Sequence, residues 1–583
     1  RRGPLVLEIR PGGDAGTAVP SAKMGPSSGY NSTGGRIVTD LLITKNGDIF
    51  VDCQFRNDGV SSSWGAKTSP GGGDLGLKPA KYAPRITIDG TNRFSASTTI
   101  QMWYQGSPQI AGGKSGGGAA TYWPAFIRPS MSYLNTTGWG YNYDTGRGMD
   151  FSGKLTSYTS ILGSATWSSW LNASEHRGLQ MAMGTGGDRD EIYGGIHAEP
   201  CALWIADGNR VYQQVAMGQA EILHEASIFF WDKTNSEWAN KRRHSNDIWA
   251  WKDVINPMWS IPGLANGTYG DYPSASNASE ARWSNMDFAH WPNVDGLPYF
   301  LRGRRSILDG MLGAACGIIM SMPGTGQPPN WTNGNYLAVF NPNVVFCQTR
   351  EAVNALRLLA MVNYCCPAAS IPDGGAYIAD LLTATFAAAD KYEDDYATEQ
   401  GEVSGSHAFR TGATVTNSTW QNDWLWQVMF FARKCGHTAA DGWLSFAKNF
   451  LAGGLLQTAN GLPLDSMNYN YVAAVSSTYV STWAQFGSQT AALIDSFGAW
   501  PTNDQQWDDD PTRVSAGVGM WVQMRGMSLA LMKDYYPGDT QVQNAWTTFE
   551  TLAEDMPAMQ AVGFEYPQNG MRRNVVPVGY TRP

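Results

Sequence analysis

The chain has 583 residues, which at ~150 residues per domain corresponds to about four domains. Charged residues make up 16% of it, against roughly 25% in an average soluble protein, and the net charge of −9 argues against the basic face of a nucleic-acid protein. A hydrophobic share of 43% excludes wholesale disorder, and 7 cysteines exclude a disulfide-dense scaffold.

Residues 1–150 read as a β-sandwich-like domain. Strand-like runs at Arg36-Ile37-Val38-Thr39, Asp48-Ile49-Phe50-Val51 and Arg85-Ile86-Thr87-Ile88 alternate with Gly, Asn, Ser and Pro turns. Asn46-Gly47, between two apolar runs, is a hairpin signal. Residues 151–187 read as a linker, 188–560 as helix and 561–583 as a tail. Candidate helices fall at 190–206, 208–228, 296–322 with a break near Gly303, 347–366, 373–392, 418–436, 439–455, 478–497, 514–536 and 540–556. Many come as close pairs, the pattern of αα-hairpins. His197–Leu223 aligns weakly with Asn293–Ile319, with Trp204-Ile205 falling on Phe300-Leu301, and a third copy runs from Trp424 through Gly436 into Trp443. Repeated hairpins bury their faces by stacking, either as an open solenoid or as a closed toroid.

Four segments carry residue types suited to chemistry. Gly187-Asp188-Arg189-Asp190-Glu191 precedes His197, and a seven-residue spacing puts Asp190 and His197 on one helical face; the plain alternative is acids complementing a helix start. Arg282–Asn293 packs Trp283, Asp287, His290 and Trp291 at a loop–helix junction, or is a capping loop with packed indoles. Arg350, Asn354 and Arg357 form an i, i+4, i+7 stripe that either lines a cavity or serves a buried ion pair. Trp420, Asp423 and Trp424, with Trp426 beyond, are either a stacking surface or core. The basic runs Lys241–His244 and Arg302–Arg305 read as solvated loops or helix ends. Acidic stretches at Glu393–Glu402 and Asp504–Asp510 read as loops that could hold Ca²⁺, without EF-hand spacing; no other cofactor is expected. The P-loop, the H-E-x-x-H zinc motif and a convincing G-x-S-x-G are absent from the sequence.

The segments D-R-D-E-I-Y-G-G-I-H (188–197), D-F-A-H-W-P-N-V-D-G-L-P-Y-F-L-R-G-R-R (287–305), R-E-A-V-N-A-L-R (350–357) and W-Q-N-D-W-L-W-Q (420–427) resemble (α/α)-toroid carbohydrate-active proteins, meaning polysaccharide lyases and glycoside hydrolases. The second is similar to a helical hairpin of large bacterial secreted or phage-associated proteins. The resemblance implies an α+β multidomain protein, with a β-sandwich-like domain followed by an (α/α) helical-hairpin toroid.

A lyase acting on uronate polymers by β-elimination needs a group to neutralise the carboxylate, a base for the C5 proton and an acid for the leaving oxygen. His197, His290 and Tyr299 supply the latter types, and Arg350, Asn354 and Arg357 the former. Glycoside hydrolysis needs paired carboxylates, for which Asp190, Asp287 and Asp423 are candidates. A third reading is a non-enzymatic virion or cell-surface protein that binds glycan through Trp283, Trp291, Trp420 and Trp424, or self-assembles. Each reading places the chain outside the cell with a polysaccharide partner. No stretch reaches the ~18 apolar residues of a membrane span.

Overall fold

The computed structural model describes residues 6–11, 17–18, 35–60, 80–83, 85–95, 99–101, 106–114, 127–137, 152–162, 199–222, 229–232, 235–240, 242, 295–321, 349–405, 409–411, 414–417, 419–460, 472–473, 480–496 and 518–554. An N-terminal β-sheet region is followed by a mostly helical region.

Strands β1 (Val6–Ile9), β2 (Thr17–Ala18), β3 (Gly35–Thr44) and β4 (Asp48–Asn57) come first. After the short β5 (Gly59–Val60) come β6 (Ala80–Tyr82), β7 (Arg85–Ile88), β8 (Thr91–Ser95), β9 (Thr99–Gln101) and β10 (Gly106–Lys114). The main sheet runs β1-β3-β4-β10, with β2 also on β3, and every pairing in it is antiparallel. The Asn46-Gly47 signal falls where expected. Ile43 pairs with Ile49, and Gly47 closes the turn with φ 81° and an amide bonded to the Thr44 carbonyl at 3.0 Å.

The two faces of this sheet differ. Cys53, Ile86 and Ile88 form a small apolar cluster with Ile37, Val51, Phe55 and Phe94, so the β7–β8 hairpin covers one face. The opposite face pairs Arg36 with Arg56, Val38 with Gln54, Asp40 with Asp52 and Leu42 with Phe50. Arg36, Asp40, Asp52, Gln54 and Arg56 are all buried there. Like charges facing each other across strands repel. They hold because each finds a counter-charge: Asp58 and Arg10 of the sheet region answer Arg36 and Asp40, and Arg304 and Asp309 of the helical region answer Asp52 and Arg56.

The helices are α1 (Met131–Thr137), α2 (Ser152–Leu162), α3 (Glu199–Asp207), α4 (Arg210–Ile222), α5 (Gly296–Arg302), α6 (Arg305–Ser321) and α7 (Thr349–Cys365). They continue with α8 (Ala376–Gln400), α9 (Thr419–Lys434), α10 (Asp441–Gly454), α11 (Trp483–Ser496), α12 (Val518–Tyr535) and α13 (Thr540–Glu554). The α3/α4 and α5/α6 pairs carry the aligned segments. Both joints use a left-handed glycine, Gly208 at φ 68° and Gly303 at φ 58°. Each glycine donates its amide to the carbonyl four residues back, that of Trp204 or Tyr299. This is the αL helix stop, which glycine adopts without a Cβ penalty.

From α7 onward the hairpins stack in two layers. One layer is α7, α9 and α12; the other is α8, α10 and α13. Neighbours within a layer run parallel. Asp423 and Gln427 of α9 meet Arg525 and Ser528 of α12 in the same order, at 2.8 and 3.0 Å. Within a hairpin the order reverses. The Trp426 indole donates to the Leu444 carbonyl at 3.0 Å, and Arg433 reaches back to Asp441 at 3.1 Å. The interior is dense with aromatics, including Trp204, Trp424, Trp426, Trp443 and Trp546.

Three expectations change. Residues 151–187 begin with a helix, α2, whose Tyr158 packs edge-on against Tyr212 of α4, so helical packing starts before residue 188. Glu393–Gln400 is the end of α8 and no loop; its carboxylates radiate around a helix, which disfavours the Ca²⁺ site, and Lys391 pairs with Asp395 one turn on. Asp504–Asp510 lies outside the described residues. The run Arg302–Arg305 is not solvated at Arg304, which is 4% exposed and held by carboxylates.

Candidate functional site

Of the residues singled out above, Asp190, His197, Trp283, Asp287, His290 and Trp291 lie outside the described residues. Arg350 lies in α7 and Trp420 in α9, and their side chains also lie outside the description. The structure places Tyr299, Asn354, Arg357, Asp423 and Trp424.

Four of these gather on the first halves of the parallel helices. Arg357 donates to the Asn354 carbonyl oxygen at 2.8 Å, and its guanidinium lies 6.0 Å from the centre of the Trp424 ring. Trp424 is 1% exposed. Asp423 is ion-paired with Arg525, whose Nε–H is shared between both carboxylate oxygens at 2.8 Å. Arg525 also donates to the Leu451 carbonyl at 3.0 Å, tying α12 to α10. Burial pushes the Asp423 carboxyl up to about 6, while Arg525 and Ser528 pull it down.

Asp295 joins this group and is not among the residues that spacing picks out. It stands at the N-cap position of α5 yet makes no capping bond through its side chain. It is fully buried, and neither carboxylate oxygen has a hydrogen-bond partner. Burial raises its pKa to about 7; the nearby amides of Asp295 and Gly296 and the charge of Arg357 oppose the rise without forming a well-shaped bond. Tyr299, one turn further along α5, donates its amide to the Asp295 carbonyl at 2.9 Å. α5 packs on α7, so Asp295 lies within the field of Arg357, which bonds Asn354. The available signal for Asp295 is its place in the 287–305 segment, five residues after His290. An Asp before a helix ordinarily reads as a cap, which hides its burial.

A second polar cluster fills the seam between sheet and helices. Arg10 bridges Asp40 at 2.6 Å and Asp309 of α6 at 2.7 Å, and Arg56 reaches the same Asp309 at 2.6 Å. Arg304 pairs with Asp52 and lies 3.8 Å from Glu221, which also accepts from the Ser306 hydroxyl at 3.3 Å. Arg36 pairs with Asp58 at 2.7 Å and lies 3.8 Å over the Trp231 ring. Trp231 belongs to β11 (Trp231–Asp232), which pairs with β12 (Glu237–Trp238) and, in parallel, with β5. The Asp52 and Glu221 carboxyls are both raised, first by burial and then by each other's neighbourhood of charge, with Arg304 opposing. These groups are sealed from solvent and pair across the seam, which joins the sheet to the helices, while Asp52 Oδ1 and Glu221 Oε2 stay without a hydrogen bond among the described residues.

Among the described residues, no three His, Cys, Asp or Glu side chains gather in a way that could hold a metal ion. No helix among them is long and apolar enough to cross a membrane. No family model, curated protein or solved structure matches the chain.

Proposed function

We propose that the chain is an extracellular polysaccharide-processing enzyme, a lyase that cleaves a uronate-containing polymer by β-elimination. Its site would lie at the N-terminal end of the α7, α9 and α12 layer. In this reading the hairpin stack closes into a toroid and the sheet region is a sandwich-like partner to it. The observation that carries the proposal is the buried group of Asp295, Arg357 and Asn354, in which the Arg357 guanidinium acts on the Asp295 carboxyl and bonds the Asn354 side chain, with Tyr299 one turn along the helix that Asp295 opens. Parallel helices present their positive dipole ends together, which favours an anionic substrate. The Asn354–Arg357 pair supplies the amide and guanidinium that neutralise a uronate carboxylate. Tyr299, with His290 or His197, supplies the proton-transfer groups.

Asp295 favours glycoside hydrolysis as the second reading. A carboxyl raised to about 7 keeps its proton on about half the molecules at neutral pH, which suits a general acid for a glycosidic oxygen. Incubation with acidic and neutral polysaccharides separates the two. The lyase predicts new ultraviolet absorbance from unsaturated uronate ends on acidic polymers only. Reducing ends without that absorbance establish the hydrolase instead, and neither product on any polymer overturns both. Tyr299→Phe is expected to lower lyase turnover by about 10²-fold or more with an unchanged circular dichroism spectrum; wild-type turnover removes Tyr299 from the site.

A further inference from the structure

We infer that Cys365 and Cys435 form a redox-active thiol pair, closing into an interhelix disulfide by exchange with a small disulfide such as glutathione disulfide. Cys365 is the last residue of α7. Cys435 follows α9 directly, its amide bonded to the Phe431 carbonyl at 2.9 Å. Because α7 and α9 run parallel, both thiols lie at the same end of the layer. The Asn363 amide and the His437 ring meet there at 3.4 Å, joining a residue two before Cys365 to one two after Cys435. Both cysteines are free and half-buried, unlike the sealed Cys53, Cys201, Cys316 and Cys366. Tyr364, next to Cys365, is 38% exposed and donates its hydroxyl to the Thr137 carbonyl at 3.0 Å, so this helix end opens to solvent.

The chemistry divides between the two thiols. Burial and the neighbouring Cys365 push the Cys435 thiol well up, making it the poorer first nucleophile. Cys365, having lost its proton to solvent, attacks one sulfur of glutathione disulfide. That sulfur–sulfur bond breaks, and one glutathione thiolate leaves. Cys435 then loses its proton and attacks the Cys365 sulfur of the mixed disulfide, releasing the second glutathione thiolate. The two protein thiols are oxidised, and the electron pair leaves on the two glutathiones. Cys366 is adjacent in sequence and its thiol meets that of Cys365, but it is buried, and burial and then the bond to Cys365 raise it, so it is the poorer partner for exchange.

The test is mass spectrometry of the native chain after incubation with glutathione disulfide, alkylation and digestion. The expected product is a Cys365–Cys435 linked peptide, with a melting temperature that rises on oxidation and returns with a dithiol reductant. Cys435→Ser should stop the reaction at a stable glutathione adduct on Cys365, and Cys365→Ser should abolish the link. An adduct on wild-type Cys365 that never resolves, a Cys365–Cys366 link, or no modification of either thiol in the folded chain overturns the proposal. Circular dichroism of both Ser variants keeps a folding failure from passing as a negative result.

Discussion

At the residue scale, Asp295 carries a stability cost that can be measured. Its pKa is about 7 in the folded chain and about 3.9 in an unfolded one. The folded state therefore keeps a proton that the unfolded state releases as pH rises between these values. Its contribution is fully present below about pH 4 and is lost as pH rises through about 7. Asp295→Asn should then be more stable than wild type at alkaline pH, on the order of 1–3 kcal/mol, with the gap closing towards pH 4. Thermal melts across this range check it, and a pH-independent gap would refute it. Asp423 behaves differently because Arg525 answers it. Asp423→Ala leaves a buried guanidinium without its carboxylate and should cost about 3–5 kcal/mol in urea unfolding. A paired Asp423→Leu, Arg525→Met replacement should cost much less, since both desolvated charges leave together.

At the element scale, several segments with helical periodicity are legible to within a few residues, while the helix expected at 373–392 runs on to Gln400. The break expected near Gly303 is the joint between α5 and α6, and the 439–455 segment is α10 at Asp441–Gly454. Gly208 and Gly303 stop α3 and α5 in the same way, one residue out of step with the sequence alignment, in which Gly208 falls on Arg304. Gly303→Ala should cost about 1–2 kcal/mol, because an L-residue is strained at its φ of 58°; equilibrium denaturation reads this directly. The acidic stretch after Lys391 is helix rather than loop. Ala, Glu, Lys and Gln sustain a helix, and an i, i+4 ion pair supports it.

At the scale of the whole molecule, the sheet faces the helices with its charged side. Asp309 is the hub, accepting from both Arg10 and Arg56 across the seam. Asp309→Ala should lower stability by about 3–5 kcal/mol and make the sheet region susceptible to proteolysis before the helical stack. Equal digestion of the two regions would show that the seam does not couple them. Because these pairs are sealed from water, salt should barely screen them. Melting near neutral pH should stay nearly constant as ionic strength rises.

The sequence by itself determined the order of β then helix, most helix positions, the hairpin at Asn46-Gly47 and the repeat, since each rests on local backbone preference and periodicity. It also brought Asn354, Arg357, Asp423 and Trp424 to notice as polar and aromatic groups on apolar helices. Only the tertiary structure decided what those groups meet. Strand alternation in Asp48–Asn57 marks two faces, but alternation alone sends the polar one to water. Here Asp52, Gln54 and Arg56 turn inward because α6 and Arg304 bring the opposite charges. Likewise Asp423 finds Arg525 from 102 residues away, and Asp295 finds the charge of Arg357 but, among the described residues, no hydrogen bond to its carboxylate. Both outcomes depend on desolvation and on the arrival of distant side chains, which no local pattern records.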